Sequence, residues 1–432
     1  MPYRLSSSVS VLVLSLGVVG LCGCSQTASA KSHAPSRANS HINETASPSK
    51  PMPSGGGSPT VSAPHESTSS GAHRDSFDAQ HIDMVSPAVG WAWSQDAIWW
   101  TKDGGKHWMS ETPPSLSRNS TLTIDIVSKN RAWAAVSTNR QQKPPFPIWV
   151  TTTHGTHWTM ASLAPHNDGI TLISSSSAKT AWVATNMGAA SGIESMVLDA
   201  TVNGGTTWTM LPSSVTSLMV EDPNQNRPKS AHPIPLFGDK GGMVFASPKE
   251  GFITGGRTGQ TEENAMLWRT ADGGQNWGQI PLPAPHGAIL NWAFAPTFFN
   301  ADDGVMAVEV NINKLATYST HDGGRTWTPG QLLPWATQIG GPIWSFANAD
   351  AGLALSLKTN AQASIIGATL YATSNGGRSW RPLPVKHLPL RQVKALDDVS
   401  PTTAFALTGD NGRSAVWETR DGGRIWKALG SS

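Results

Sequence analysis

Cysteine is nearly absent from this chain: there are two, at positions 22 and 24. Disulfides, thiolate metal sites and cysteine nucleophiles are therefore excluded for everything that follows them. Tyrosine is scarce as well, with three residues at positions 3, 318 and 371 against 19 tryptophans. Charge is thin, at 14% of residues and a net +2, where soluble domains carry about a quarter. No basic stripe offers a phosphate-binding surface, so nucleic acid is not an expected partner. No segment reaches the roughly 18 consecutive apolar residues of a spanning helix. Nothing in the composition calls for a cofactor.

What is present begins with an export signal. Arg4 supplies a positive charge, and Val9 to Leu21 form an apolar run of signal-peptide length, too short to span a membrane permanently. The run ends in Leu21-Cys22-Gly23-Cys24, which resembles the lipobox of bacterial lipoproteins. That resemblance implies cleavage after residue 23, diacylation of Cys24, and a place on the extracytoplasmic side of the bacterial cell envelope. Cys22 departs from the small Ala, Ser or Thr usual at that position. Residues 24–76 are rich in Ser, Pro and Gly and cannot bury enough apolar surface to offset their ordering entropy, so a disordered tether is expected. As a flexible coil, about 50 residues would hold the folded part on the order of 40 Å from the lipid.

From residue 77 to 432 the sequence repeats. Thr101-Lys102-Asp103-Gly104-Gly105-Lys106-His107-Trp108 recurs at Thr151, Thr201, Thr270, Thr320, Thr373 and Thr419, always with Thr first, Gly fifth and Trp eighth. The intervals are 50, 50, 69, 50, 53 and 46 residues, the room for four short strands and their turns in one propeller blade. Two residues before each Thr stands an aromatic, Trp99, Trp149, Trp268, Tyr318, Tyr371 or Trp417, with Asp199 the exception. A second small-aromatic or small-apolar pair, such as Gly90-Trp91 or Ala132-Trp133, opens the second strand of each unit. The expected fold is all-β: a seven-bladed propeller of four-stranded antiparallel blades, after the disordered linker.

The third residue of each turn is Asp103, Thr153, Asn203, Asp272, Asp322, Asn375 or Asp421. Chemistry would need the charge, whereas a turn needs only a side-chain acceptor, so these positions read as hairpin locks. Trp108, Trp158, Trp208, Trp277, Trp327, Trp380 and Trp426 would then cover the hairpins, each removing about 150–250 Å² from water. The motif is the Asp-box, shared by sialidases, sortilin-type receptors, two-propeller xyloglucan hydrolases and the photosystem II assembly and stability factors. Phe77 to Leu429 resembles the last group most closely, through the Thr-x-Asp-Gly-Gly-x-x-Trp form and the count of seven. That resemblance implies a protein-binding or complex-assembly module without catalytic residues.

Sialidase chemistry needs a tyrosine nucleophile, and Tyr318 and Tyr371 occupy a repeat position filled elsewhere by Trp, which makes them packing residues. No carboxylate pair is nominated for glycoside hydrolysis; Asp302 and Asp303 fall where turn residues belong. His154 and His157 sit three apart in a solvated turn, and no third ligand points to a metal. A carbohydrate-active propeller, whether hydrolase, sialidase-like or lectin, stays open as the alternative.

The turns that carry the motif are uniform in length, while the connections on the opposite face vary. The 69-residue interval adds about 20 residues, roughly Pro212 to Lys240, and loops on a rigid scaffold concentrate function. Glu221, Asp222, Arg227, Lys229 and His232 in that insertion, with Trp292 and Trp335, are the candidate partner contacts. The expected partner is another envelope or membrane protein, with a glycan as the alternative.

Overall fold

The computed structural model describes residues 66–68, 77–114, 116, 120–138, 147–162, 170–190, 193–212, 233–234, 238–256, 265–311, 314–334, 341–362, 364–410 and 413–430. It is a seven-bladed β-propeller, as the repeat predicts. Strands are lettered A, innermost, to D, outermost. Blade one comprises His81–Asp83, Gly90–Trp93, Ile98–Thr101 and Met109–Ser110. The later A strands are Ser120–Ser128, Ile170–Ser175, Asp239–Phe245, Leu290–Ala293 with Thr297–Phe298, Ile343–Phe346 and Val393–Asp398. No helix among the described residues is long and apolar enough to cross a membrane.

Two departures from the simple repeat stand out. Blades four and five merge into one nine-stranded sheet through a Gly256↔Trp292 backbone pair. Glu66–Thr68, inside the span expected to be a disordered tether, pairs antiparallel with His157–Thr159 as a fifth strand of blade two. In five of the seven units the motif Trp stands just ahead of strand D; only Trp158 and Trp426 lie within it.

The eight-residue turns share one hydrogen-bond set. The Thr Oγ1 accepts the N–H of the fifth residue at 2.9–3.2 Å in all seven. The third side chain accepts the N–H of the seventh residue at 2.9–3.0 Å, whether it is Asp, Asn or Thr153. The fourth N–H donates to a carbonyl of the same blade's A–B turn at 2.8–3.0 Å. Both turn sets therefore form one bonded face. The fifth residue shows why Gly is required: Gly324 sits at φ 76°, and a Cβ there would lie 2.5 Å from the Phe252 ring.

Blades adhere through aromatics and buried acceptors. Trp182 of blade three stacks on Phe245 of blade four at 3.7 Å, and Phe245 meets the edge of Trp277 at 6.1 Å. Phe252, Phe298 and Trp327 repeat that ladder between blades four and five. Beneath it, an acceptor on one A strand takes an N–H from the next. Asp125 accepts from Ser175 at 2.6 Å, Ser174 from Phe245 at 2.8 Å, Ser345 from Asp398 at 2.8 Å, and Asp397 from Met84 at 2.5 Å. Blades seven and one share no strand among the described residues; the last of these bonds joins them, together with Ser414, which donates to the Phe77 and Ala79 carbonyls, and a shared apolar cluster.

Candidate functional site

The motif carboxyls Asp103 and Asp322 offer little proton chemistry. Burial pulls the Asp103 carboxyl upward, but hydrogen bonds from His107 and Thr101 outweigh it and hold it at about 2. Asp322 is likewise held at about 2, burial being outweighed by bonds from Thr326, Thr320 and Arg325. Carboxyls held this low are acceptors, not proton donors, at neutral pH. Tyr318 is fully buried and donates to the Pro283 carbonyl at 2.8 Å. Asp302 and Asp303 lie in the blade-five A–B turn, where Asn300 caps their N–H groups at 2.8 and 2.7 Å.

His154 and His157 do not converge. His157 is exposed, while His154, at φ 51°, stacks on Trp100 at 4.1 Å and brings Nδ1 within 3.8 Å of Glu111 Oε1. The turn is thus less solvated than its sequence suggests, since His154 is wedged against blade one. Burial pushes the Glu111 carboxyl up to about 7 and pushes the His154 imidazole down. Among the described residues no cluster of three or more His, Cys, Asp or Glu is arranged to hold a metal.

The opposite face carries a different construction, where the B–C hairpin of blade three meets the A strand of blade four. Glu194 and Lys240 are each about 5% exposed. Glu194 Oε1 accepts from Asn186 Nδ2 at 2.6 Å, and Oε2 accepts the Lys240 N–H at 2.5 Å. Lys240 Nζ donates to the carbonyls of Glu194 at 2.8 Å and Gly238 at 2.9 Å. Burial pushes the Glu194 carboxyl up and the Lys240 ammonium down to about 8. Shifts in these directions occur in acid–base pairs, but these groups are engaged with backbone. They act as a clasp at the foot of the long blade three to four connection.

Trp292 lies next to the clasp. A Cβ on Gly241, the residue after Lys240, would come 2.3 Å from Trp292 Cζ2, so only glycine admits the ring. Trp292 is half-buried and stands opposite Glu309 in register, whose carboxyl burial pushes up. Glu221, Asp222, Arg227, Lys229, His232, Trp335 and Cys24 lie outside the described residues. Sequence reasoning missed Asn186, Glu194 and Lys240. A lysine inside an A strand was a weak signal, because Lys394 stands in one as well.

No family model and no curated protein matches the chain. Solved structures do. A GH74 enzyme from Niastella koreensis is 12% identical with a TM-score of 0.52, covering 82% of this chain and 54% of the enzyme. This chain therefore spans about half the length of that enzyme. YCF48 bound to D1 peptide is 14% identical with a TM-score of 0.48, covering 83% of this chain and 94% of that one. YCF48 from Cyanidioschyzon merolae is 16% identical with a TM-score of 0.47, covering 78% and 94%. At these identities the likeness concerns fold.

Proposed function

We propose that this protein is a binding or assembly module of the bacterial cell envelope, lipid-anchored through Cys24. In this reading the segment between Cys24 and the strand at Glu66 is the tether to the lipid, and the face opposite the repeated turns meets another membrane or envelope protein. The clasp is the observation that carries the reading. Its ionisable groups tie the blade-three C strand to the start of the blade-four A strand at that face, which prepares a surface rather than a reaction. A half-buried tryptophan beside it supplies the amphipathic anchor that interface centres favour.

The test is photo-crosslinking of the full chain in its native membrane, with the probe placed at Trp292 and, separately, at Thr326 on the turn face. The expected result is one protein adduct through position 292 and none through 326. Capture through 326 would move the interface to the other face. Trp292 beside Glu309 also resembles a sugar platform with a carboxylate, so a carbohydrate-active propeller is the second reading. Turnover of a polysaccharide by the full chain, lost in Glu309→Gln, would replace the first reading with this one.

A further inference from the structure

A groove of about 710 Å³ opens on the turn face between blades two and three, a volume typical of ligand sites. Its walls come from four turns: the A–B and eight-residue turns of both blades. Arg131, Lys179 and His157 line it and are exposed; the turns that form its walls supply no carboxylate, while Glu66 is paired with Thr159 at its edge. The reason lies in the repeat. Blades two and three are the one adjacent pair whose turns both lack the acid, with Thr153 and Asn203 where blades one, four, five and seven carry Asp. Both Thr153 and Asn203 line the groove. Lys102 and Lys129 extend the positive strip toward blade one, both exposed. Blades five and six present a mixed surface, with Asp302, Asp303, Asp322 and Asp350 beside His321, Arg325 and Arg378 on the same face.

We propose that this groove binds an anionic saccharide, a chain bearing carboxylate, sulfate or phosphate groups, independently of the partner surface opposite. Arg131 and Lys179 would pair its charges, Arg by its planar fork. Ser177, Thr153 and Asn203 would meet its hydroxyls. An acidic peptide fits less well, because peptide recognition rests on apolar anchors, and the large apolar side chains here, Val150 and Trp158, are buried. The missing turn carboxylates remove the charge that would repel such a ligand.

Calorimetric titration of the full chain in detergent tests the assignment, with a heparin-derived hexasaccharide, a galacturonic acid hexamer, neutral dextran, polyglutamate and inorganic phosphate as separate probes. One or both acidic saccharides should bind, with affinity falling as salt rises, and dextran should not. Arg131→Ala with Lys179→Ala should weaken binding about a hundredfold. Thr153→Asp restores the residue that four other turns hold and keeps the acceptor for the His157 N–H, so its melting temperature should match the parent while affinity drops about tenfold. Arg325→Ala, on blade five, should change nothing. Whether sulfate or uronate binds more tightly identifies the source. Tighter binding of polyglutamate, equal binding of phosphate alone, or affinity unmoved by Thr153→Asp would each overturn the proposal.

Discussion

Blades seven and one meet through a shared apolar cluster and through hydrogen bonds from Ser414 and Asp397, and Asp397→Ala tests the buried bond among them. Asp397 is 5% exposed, and its Oδ2 accepts the Met84 N–H at 2.5 Å from 313 residues away in sequence. Truncation to Ala strands a buried N–H, at about 1–3 kcal/mol, and removes a charge-assisted bond of about 1.5–3 kcal/mol. Against this, the buried carboxylate no longer has to be desolvated. The net expectation is a loss of about 2–4 kcal/mol. Asp397→Asn keeps an acceptor in nearly the same shape and should lose about 1 kcal/mol. Urea unfolding followed by tryptophan emission reads both, because Trp91, Trp99 and Trp108 lie in the blade being released. Asp125→Ala, the same device between blades two and three, should cost a similar amount if the contact acts locally. An Asp397→Ala stability within 0.5 kcal/mol of the parent would refute the argument that this bond helps hold the ring closed. An Asn variant as damaged as the Ala variant would show that charge, not acceptor geometry, is what matters.

Two further outcomes follow from buried polar groups. Thr320→Val removes the hydroxyl that accepts the Gly324 N–H and donates to Asp322, each at 2.9 Å, and should cost about 2–3 kcal/mol, while Thr320→Ser should stay within about 1 kcal/mol in the same unfolding assay. Glu111 should make stability pH-dependent. Its carboxyl is raised from 4.5 to about 7 by burial, so folding favours the protonated form. That contribution is complete below about pH 4.5 and is lost as pH rises through 7. Glu111→Gln should therefore flatten the decline in melting temperature between pH 5 and pH 8. The neighbouring His154, pushed down by burial, acts on the acid side and should be unaffected by that change. An equal decline in Glu111→Gln would place the titrating group elsewhere.

Fold and site were legible to different degrees, for a reason visible in the bonds themselves. The side-chain hydrogen bonds that shape the eight-residue turn run over four residues or fewer, Thr320 to Gly324 or Asp322 to Thr326. Local bonds of this kind are written in local spacing, so Thr, Gly and Trp at fixed intervals announce a hairpin wherever they occur. Asn203 and Thr153 could be read as acceptors because the geometry asks only for an oxygen at that point. The clasp was not legible: Glu194 and Lys240 stand 46 residues apart, on either side of the long connection, and neither interrupts a repeat position.

The sequence alone determined the number of blades, the order of strands within each, the face that carries the motif, and the adjacent pair of turns that lack the acid. These follow from short-range hydrogen bonding and from the repeat length a four-stranded blade needs. The tertiary structure decided how the blades lean on each other. Asp125, Ser174, Ser345 and Asp397 are unremarkable strand residues until ring curvature aims each at the next blade's backbone. Gly241 and Gly256 are merely flexible until Trp292 presses between them and joins blades four and five. Lateral packing depends on distances set by the closed circle, and no local pattern in the chain encodes them.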